Sequence, residues 1–172
     1  MRRVRGFTLL EVLVVILLIG IIATFAVMSI GDRSTADRLE REASRLQQVI
    51  RLAAEEAQIK GVEMGLERTE TGYRFLVNTP AAAGWTPMDD VGPFRGQAFE
   101  APFEFELRAE GRVVPPPEPD AEADPVPAVL MLSSGEMTPF EVRLGARGLD
   151  HSYLVRGGPL GGLEMDQSEG GR

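Results

Sequence analysis

The sequence predicts an α+β fold, with a long N-terminal helix followed by a mostly antiparallel β domain. Three observations carry that prediction. An almost uncharged apolar run opens the chain, an amphipathic helical repeat follows it, and after Gly61 the hydrophobic spacing changes from helical to alternating. The 172 residues suffice for one domain and an accessory element. A net charge of −8 gives a body that repels phosphate backbones, so nucleic acid is not an expected partner. The absence of cysteine excludes disulfide scaffolds, thiolate metal sites and cysteine nucleophiles, and leaves the redox compartment open.

The first element raises a chemical question. Arg2, Arg3 and Arg5 precede Gly6, and from Phe7 to Gly31 the one formal charge is Glu11. A helix over residues 12–31, at about 1.5 Å per residue, spans about 30 Å, the thickness of a bilayer core. Basic residues at its N-terminal side put that end in the cytoplasm and export the rest, a bias that Arg33 and Arg38 weaken slightly. A secretory signal peptide would have a shorter apolar region of roughly 7–15 residues, and Ala23-Thr24-Phe25-Ala26 is a poor cleavage site. A plain membrane anchor explains the length but not the carboxylate. Thr8-Leu9-Leu10-Glu11 also matches a capping box, in which Glu11 returns a hydrogen bond to the helix start. An ionised side chain in a membrane helix is costly, less so near the interface, and usually has a partner. Cleavage between Gly6 and Phe7 would create an α-amine four residues from Glu11, cationic or partly so near neutral pH. That amine can pair with the carboxylate of its own chain or of a neighbour. A pair between chains would also fix the axial register of an assembly, since paired buried ions specify geometry better than they add stability.

Gly6-Phe7-Thr8-Leu9-Leu10-Glu11-Val12, with a basic leader before it and aliphatic residues after it, resembles the class III signal of type IV pilins and pseudopilins. The resemblance implies that prepilin peptidase cuts after Gly6 and methylates the Phe7 amine, and that Glu11 serves assembly by pairing with a neighbouring N-terminus. It also implies a pilin-like fold, in which a long helix, membrane-spanning in its first half, packs on two small sheets. On this reading residues 1–6 are a cleaved leader and residues 7–31 a transmembrane and assembly helix.

Residues 32–60 form the second half of that helix, amphipathic from Asp37 onward. Leu39, Ala43, Leu46, Ile50, Ala53 and Ala57 recur at 4-3-4-3-4 steps and share one stripe. Arg38, Glu40, Arg41, Arg45, Arg51, Glu55 and Glu56 occupy other faces, and Glu42 lies near the stripe. Gly61 is a natural stop. In pilin-like proteins this helix continues the membrane segment. Gly31-Asp32-Arg33-Ser34 offers a point of interruption, with Ser34 as a fresh cap. Gly20 is either a weak spot in the helix or a close-packing site.

Residues 61–172 read as an exported β domain. Tyr73–Val77 alternates as a strand, and Glu70-Thr71-Gly72 turns it back on residues 65–68 as a hairpin. Phe103, Phe105 and Leu107 alternate with Glu104, Glu106 and Arg108, a strand with one buried face. Val129-Leu130-Met131-Leu132 is apolar throughout and suits a central strand. Ser133-Ser134-Gly135-Glu136 then turns, and Phe140, Val142 and Leu144 alternate with charged residues. Tyr153-Leu154-Val155 reads as the last strand before a glycine-rich tail, with frayed residues from Asp166 onward. Two stretches, 79–102 and 115–127, are proline-rich and predicted irregular. In the first, Trp85 suits a loop anchored by its indole. The second holds several carboxylates, but a calcium site needs six or more converging oxygens. An extended proline-rich segment spreads its side chains, so no metal is expected there.

The blocks "LAAEEAQIKGVEMGLERTETGYRFLV" and "VLMLSSGEMTPFEVRL" resemble the GspH/FimT family, in its type II secretion branch of minor pseudopilins. The resemblance implies a structural subunit of the periplasmic pseudopilus that drives folded proteins across the outer membrane. Its implied partners are prepilin peptidase, the major pseudopilin, other minor pseudopilins and inner-membrane lipid. The outer-membrane secretin and secreted cargo are candidate contacts. The implied location is the inner membrane, crossed once, with the N-terminus cytoplasmic and the C-terminal domain periplasmic. The alternative is the FimT-like branch, minor pilins of type IV pili acting in assembly, adhesion or DNA uptake. The acidic body and scattered arginines count against it. No Gly-x-x-x-x-Gly-Lys phosphate loop is present, so the energy source belongs to other components. No cofactor is implied. An enzyme is not expected, because His151 is the one histidine and its neighbour Ser152 is badly placed to be activated by it.

Overall fold

The computed structural model describes residues 9–81, 84–118 and 124–169; the side chains of residues 23–33 lie outside that description. Helix α1 runs over Leu9–Lys60, and its backbone stays helical through Gly31–Ser34, so Ser34 does not open a second helix. Its end is chemically defined. Gly61 takes φ +64°, which lets the Val62 amide donate to the Ala57 carbonyl at 3.1 Å and closes the last turn. Glu56 pairs with Lys60 one turn on.

The chain divides into two compact units, Met1–Asp37 and Arg38–Arg172. In the second, α1 is followed by β1 (Glu63–Arg68), β2 (Gly72–Asn78), β3 (Trp85–Pro87) and β4 (Gln97–Ala98). Then come β5 (Phe103–Ala109), β6 (Arg112–Val113), β7 (Val129–Met131), β8 (Phe140–Ala146), β9 (His151–Gly157) and β10 (Leu163–Glu169). They form two antiparallel sheets. The first has the order β3-β2-β1-β7, with β4 also on β2; the second has the order β10-β9-β8-β5-β6. The expected hairpin is β1–β2, with Leu66 opposite Phe75 and Arg68 opposite Tyr73. The second sheet sets Phe105 beside Leu144 and Leu107 beside Val142 on its inner face.

The amphipathic stripe is the spine of the core. Leu39, Ala43, Leu46, Ile50, Ala53 and Ala57 are all fully buried. They join one cluster with Met64, Leu66, Tyr73, Phe75, Leu107, Val129, Met131, Val142, Leu144 and Val155 from the two sheets. Burying a Leu or Ile side chain contributes about 1.5–3 kcal/mol, so the stripe alone is a large stabilising block.

The structure departs from the sequence pattern in four places. The stretch 79–102 is not wholly irregular. It carries β3, β4 and a 3₁₀ turn at Gly92–Phe94, and Met88, Phe94 and Phe99 are its core anchors. Trp85 is only half-buried, where it and Pro127 close over Gly65. Val129–Met131 is not central. It pairs with β1 and ends the first sheet, beyond which Met131 makes a single bridge to Met137. Its apolar character reflects burial under the helix side of the sheet. Residues 166–169 are not frayed, because β10 pairs residue by residue with β9 as far as Glu169↔His151. Residues 170–172 lie outside the described residues, as do 119–123 of the acidic stretch.

Candidate functional site

Gly6 and Phe7, the predicted cleavage and methylation positions, lie outside the described residues, as does Thr8 of the capping box. Glu11 sits in the first turn of α1, on a solvent-exposed surface. A carboxylate there meets the positive end of the helix dipole, a favourable placement. Around it, apolar residues point outward on every face. Leu9 is 84% exposed, Leu13 61%, Ile16 64% and Ile22 66%, and Val14, the least exposed large apolar residue in the stretch, is still 43% exposed. Apolar surface on all sides of a helix needs cover from lipid or from other helices. Among the described residues no helix is long and apolar enough to cross a membrane. The predicted span of residues 7–31 extends past them at residues 7 and 8 and, for side chains, from residue 23 onward.

In the second unit the helix is fastened by polar contacts that the sequence pattern did not announce. Arg45 donates to Gln97 Oε1 at 3.0 Å, to the Tyr73 hydroxyl at 3.4 Å and to the Arg95 carbonyl at 3.4 Å. It thereby ties α1 to β2 and to the segment carrying β4. Burial pushes the Tyr73 hydroxyl up to about 12; Arg45 opposes this and Glu42 adds to it. Glu42 keeps one carboxylate oxygen out of water with no hydrogen bond among the described residues.

The Ser133-Ser134-Gly135-Glu136 turn is built as its residues suggest. Gly135 takes φ +90° and sits against Gln58 of α1. Glu63 on β1 accepts from the Ser133 amide at 3.1 Å and its hydroxyl at 2.9 Å, and the Leu130 amide donates to Thr138 Oγ1 at 3.1 Å. Phe140 then re-enters the core and lies over Gly157. A Cβ on that glycine would come within 2.1 Å of the ring. Burial lowers the Arg68 pKa, with Glu106 opposing, as its side chain donates to the Phe105 carbonyl at 3.1 Å.

The outer face of the second sheet is a lattice of opposite charges. Register sets Arg108 against Glu141 and Glu141 against Arg156. Arg156 donates to Asp166 at 2.6 Å and to Glu141 at 3.3 Å, contacts that raise its pKa, as Glu106 raises that of Arg108. His151 packs edge-on to Tyr153. Ser152 and His151 are adjacent on β9, and among the described residues no group of three or more His, Cys, Asp or Glu is placed to hold a metal.

A helix that exposes apolar residues at its start, joined to a two-sheet domain, defines a pilin-like subunit. Residues 1–27 match the prokaryotic N-terminal methylation motif, which marks that class. Residues 42–161 match the model of type II transport protein GspH. The chain belongs to the GspH family, the minor pseudopilins of type II secretion. It is 35% identical over 151 residues to type II secretion system protein H of Pseudomonas aeruginosa, covering 86% of this chain and 87% of that one. Against the Escherichia coli K12 protein of the same description it is 29% identical over 159 residues, covering 90% and 89%. The fold matches the crystal structure of the minor pseudopilin EpsH from the type II secretion system of Vibrio cholerae. That match has a TM-score of 0.62 at 25% identity and covers 75% of this chain and 93% of that one. These likenesses favour the secretion branch over the FimT-like branch.

Proposed function

We propose that this minor pseudopilin enters the inner membrane as a single-pass protein with its N-terminus in the cytoplasm and its β domain in the periplasm. Prepilin peptidase cuts between Gly6 and Phe7 and methylates the new amine. The processed chain is then drawn into the pseudopilus at or near its tip, among the major and other minor pseudopilins, and the assembly moves folded cargo towards the outer-membrane secretin. The observation that carries this reading is the exposed apolar start of α1 with a single carboxylate in its first turn. Lipid can cover the apolar surface, and the Phe7 α-amine that cleavage would free, on the same chain or on an adjoining subunit, is a cation with which a carboxylate in that setting can pair. The role is that of a structural subunit rather than an enzyme.

N-terminal mass spectrometry of the membrane-extracted protein tests the processing step. The expected mature chain begins at methylated Phe7. A chain that still begins at Met1 in cells with active peptidase would overturn it.

A further inference from the structure

On the outer face of the second sheet the charge lattice is interrupted. Gly145 of β8 lies between Glu104 of β5, its register partner, and Ser152 of β9. With no side chain at Gly145 the face opens into a notch of about 290 Å³, bordered by Arg143, His151 and Leu149. That volume is at the bottom of the roughly 300–1,000 Å³ typical of small-molecule sites, and suits one inserted side chain better than a cofactor.

The notch presents one buried hydroxyl without a partner and one exposed arginine without an ion pair among the described residues. Ser152 is 8% exposed, and its hydroxyl oxygen has no hydrogen-bond partner among the described residues. A buried hydroxyl left so is costly, by about 1–3 kcal/mol, and calls for a partner. Arg143 has no ion pair among the described residues, although Glu106 stands directly opposite it in register. Glu106 turns instead to Arg108, at 2.8 Å, and Glu104 is taken by Arg147, at 3.2 Å. Arg156 is likewise held, by Glu141 and Asp166. The two carboxylates beside the notch are thus each bonded to another arginine, which leaves Arg143 without an ion pair of its own among the described residues.

We infer that the Gly145 notch is a docking socket for a carboxylate side chain of a partner protein. The incoming Asp or Glu pairs with the Arg143 guanidinium and accepts the Ser152 hydroxyl proton as a hydrogen bond. A guanidinium without an ion pair, set among paired charges, favours an acidic residue over a basic one, which supplies specificity more than affinity. The complementary group is a carboxylate because both donors in the notch, a guanidinium and a hydroxyl, are satisfied by it at once.

The test uses the full chain in detergent micelles, observed by heteronuclear NMR. N-acetyl-aspartyl methylamide is the probe, and the asparaginyl analogue is its neutral isostere. The aspartyl probe is expected to give saturable shifts at the Arg143 side chain and the Ser152 amide, with binding about tenfold or more tighter than the asparaginyl probe. Arg143→Gln should abolish the preference, Arg143→Lys should keep most of it, and Ser152→Ala should weaken binding several-fold. Gly145→Ala, whose new Cβ would make only an ordinary 3.9 Å contact with Ser152, should also weaken it. Unchanged Val142 and Leu144 signals show that the sheet is intact in each variant. Equal shifts with both probes, no saturable shift, or an Arg143→Gln response like the unmodified chain would each overturn the socket.

Discussion

The two halves of α1 use similar aliphatic residues to opposite ends. From residue 9 to residue 22 the side chains, Glu11 apart, are apolar on every face and exposed, whereas the stripe of Leu39, Ala43, Leu46, Ile50, Ala53 and Ala57 is fully buried and Leu52, off it, is 38% exposed. The difference lies in spacing, not in hydrophobicity. A stripe repeating every 3.6 residues can be covered by a sheet of the same chain, and the rest of the helix can face water. Apolar residues all round cannot be covered by one surface, so that half depends on lipid or on other subunits. One continuous helix therefore joins a segment covered by its own chain to a segment whose cover must come from its surroundings.

The contrast can be broken most sharply by paired truncations. Leu46→Ala, at a fully buried stripe position, should cost about 2–5 kcal/mol in chemical denaturation. Leu13→Ala, 61% exposed, should stay within about 0.5 kcal/mol in the same measurement. Comparable losses at the two positions would erase the distinction.

The next effect is pH-dependent. Burial disfavours the Tyr73 phenolate, so its folded pKa of about 12 lies above the ordinary value of 10.0. The associated stability is complete below pH about 10 and is lost as pH rises through about 12, a change of about 2–3 kcal/mol. Denaturation of the unmodified chain and of Tyr73→Phe over that range should give a steeper decline for the former. Parallel declines would show that Tyr73 is not the group responsible.

Gly157→Ala sharpens the picture inside the second sheet. Its added methyl would collide with the Phe140 ring, and overpacking of this kind costs about 1–3 kcal/mol. Phe140→Leu should recover part of that loss, and a double-mutant cycle measures the recovery. Additive losses would mean that the two residues do not share the contact.

Much of this was legible in the sequence because it is written in periodicity. The stripe from Leu39 to Ala57, the β1–β2 hairpin and the alternating faces of β5 and β8 follow from spacing alone. The Ser133-Ser134-Gly135-Glu136 sequence marked its turn. What escaped was set by long-range pairing. β10 has few apolar residues and is held by its ladder to β9, so no local hydrophobic signal marks it. β3 and β4 are too short for alternation to register, and Phe94 and Phe99 are single anchors among prolines. Arg45 read as one charge among many, because its partners Tyr73 and Gln97 lie 28 and 52 residues away. At the N-terminal site, the leader and Glu11 were visible because an acid in an apolar run is chemically conspicuous. The notch around Gly145 was not, since it is a missing side chain bordered by residues from three strands.

We propose that pairing of Glu11 with a neighbour's N-terminus admits the chain to the filament. The direct measurement is the share of mature protein recovered in sheared pseudopili, relative to that in the membrane, for the unmodified chain, Glu11→Asp, Glu11→Gln and Glu11→Ala. Such pairing predicts normal cleavage at Phe7 in all four, near-normal incorporation for Asp, and a loss of about tenfold or more for Gln and Ala. Incorporation of Glu11→Ala at the level of the unmodified chain would contradict it.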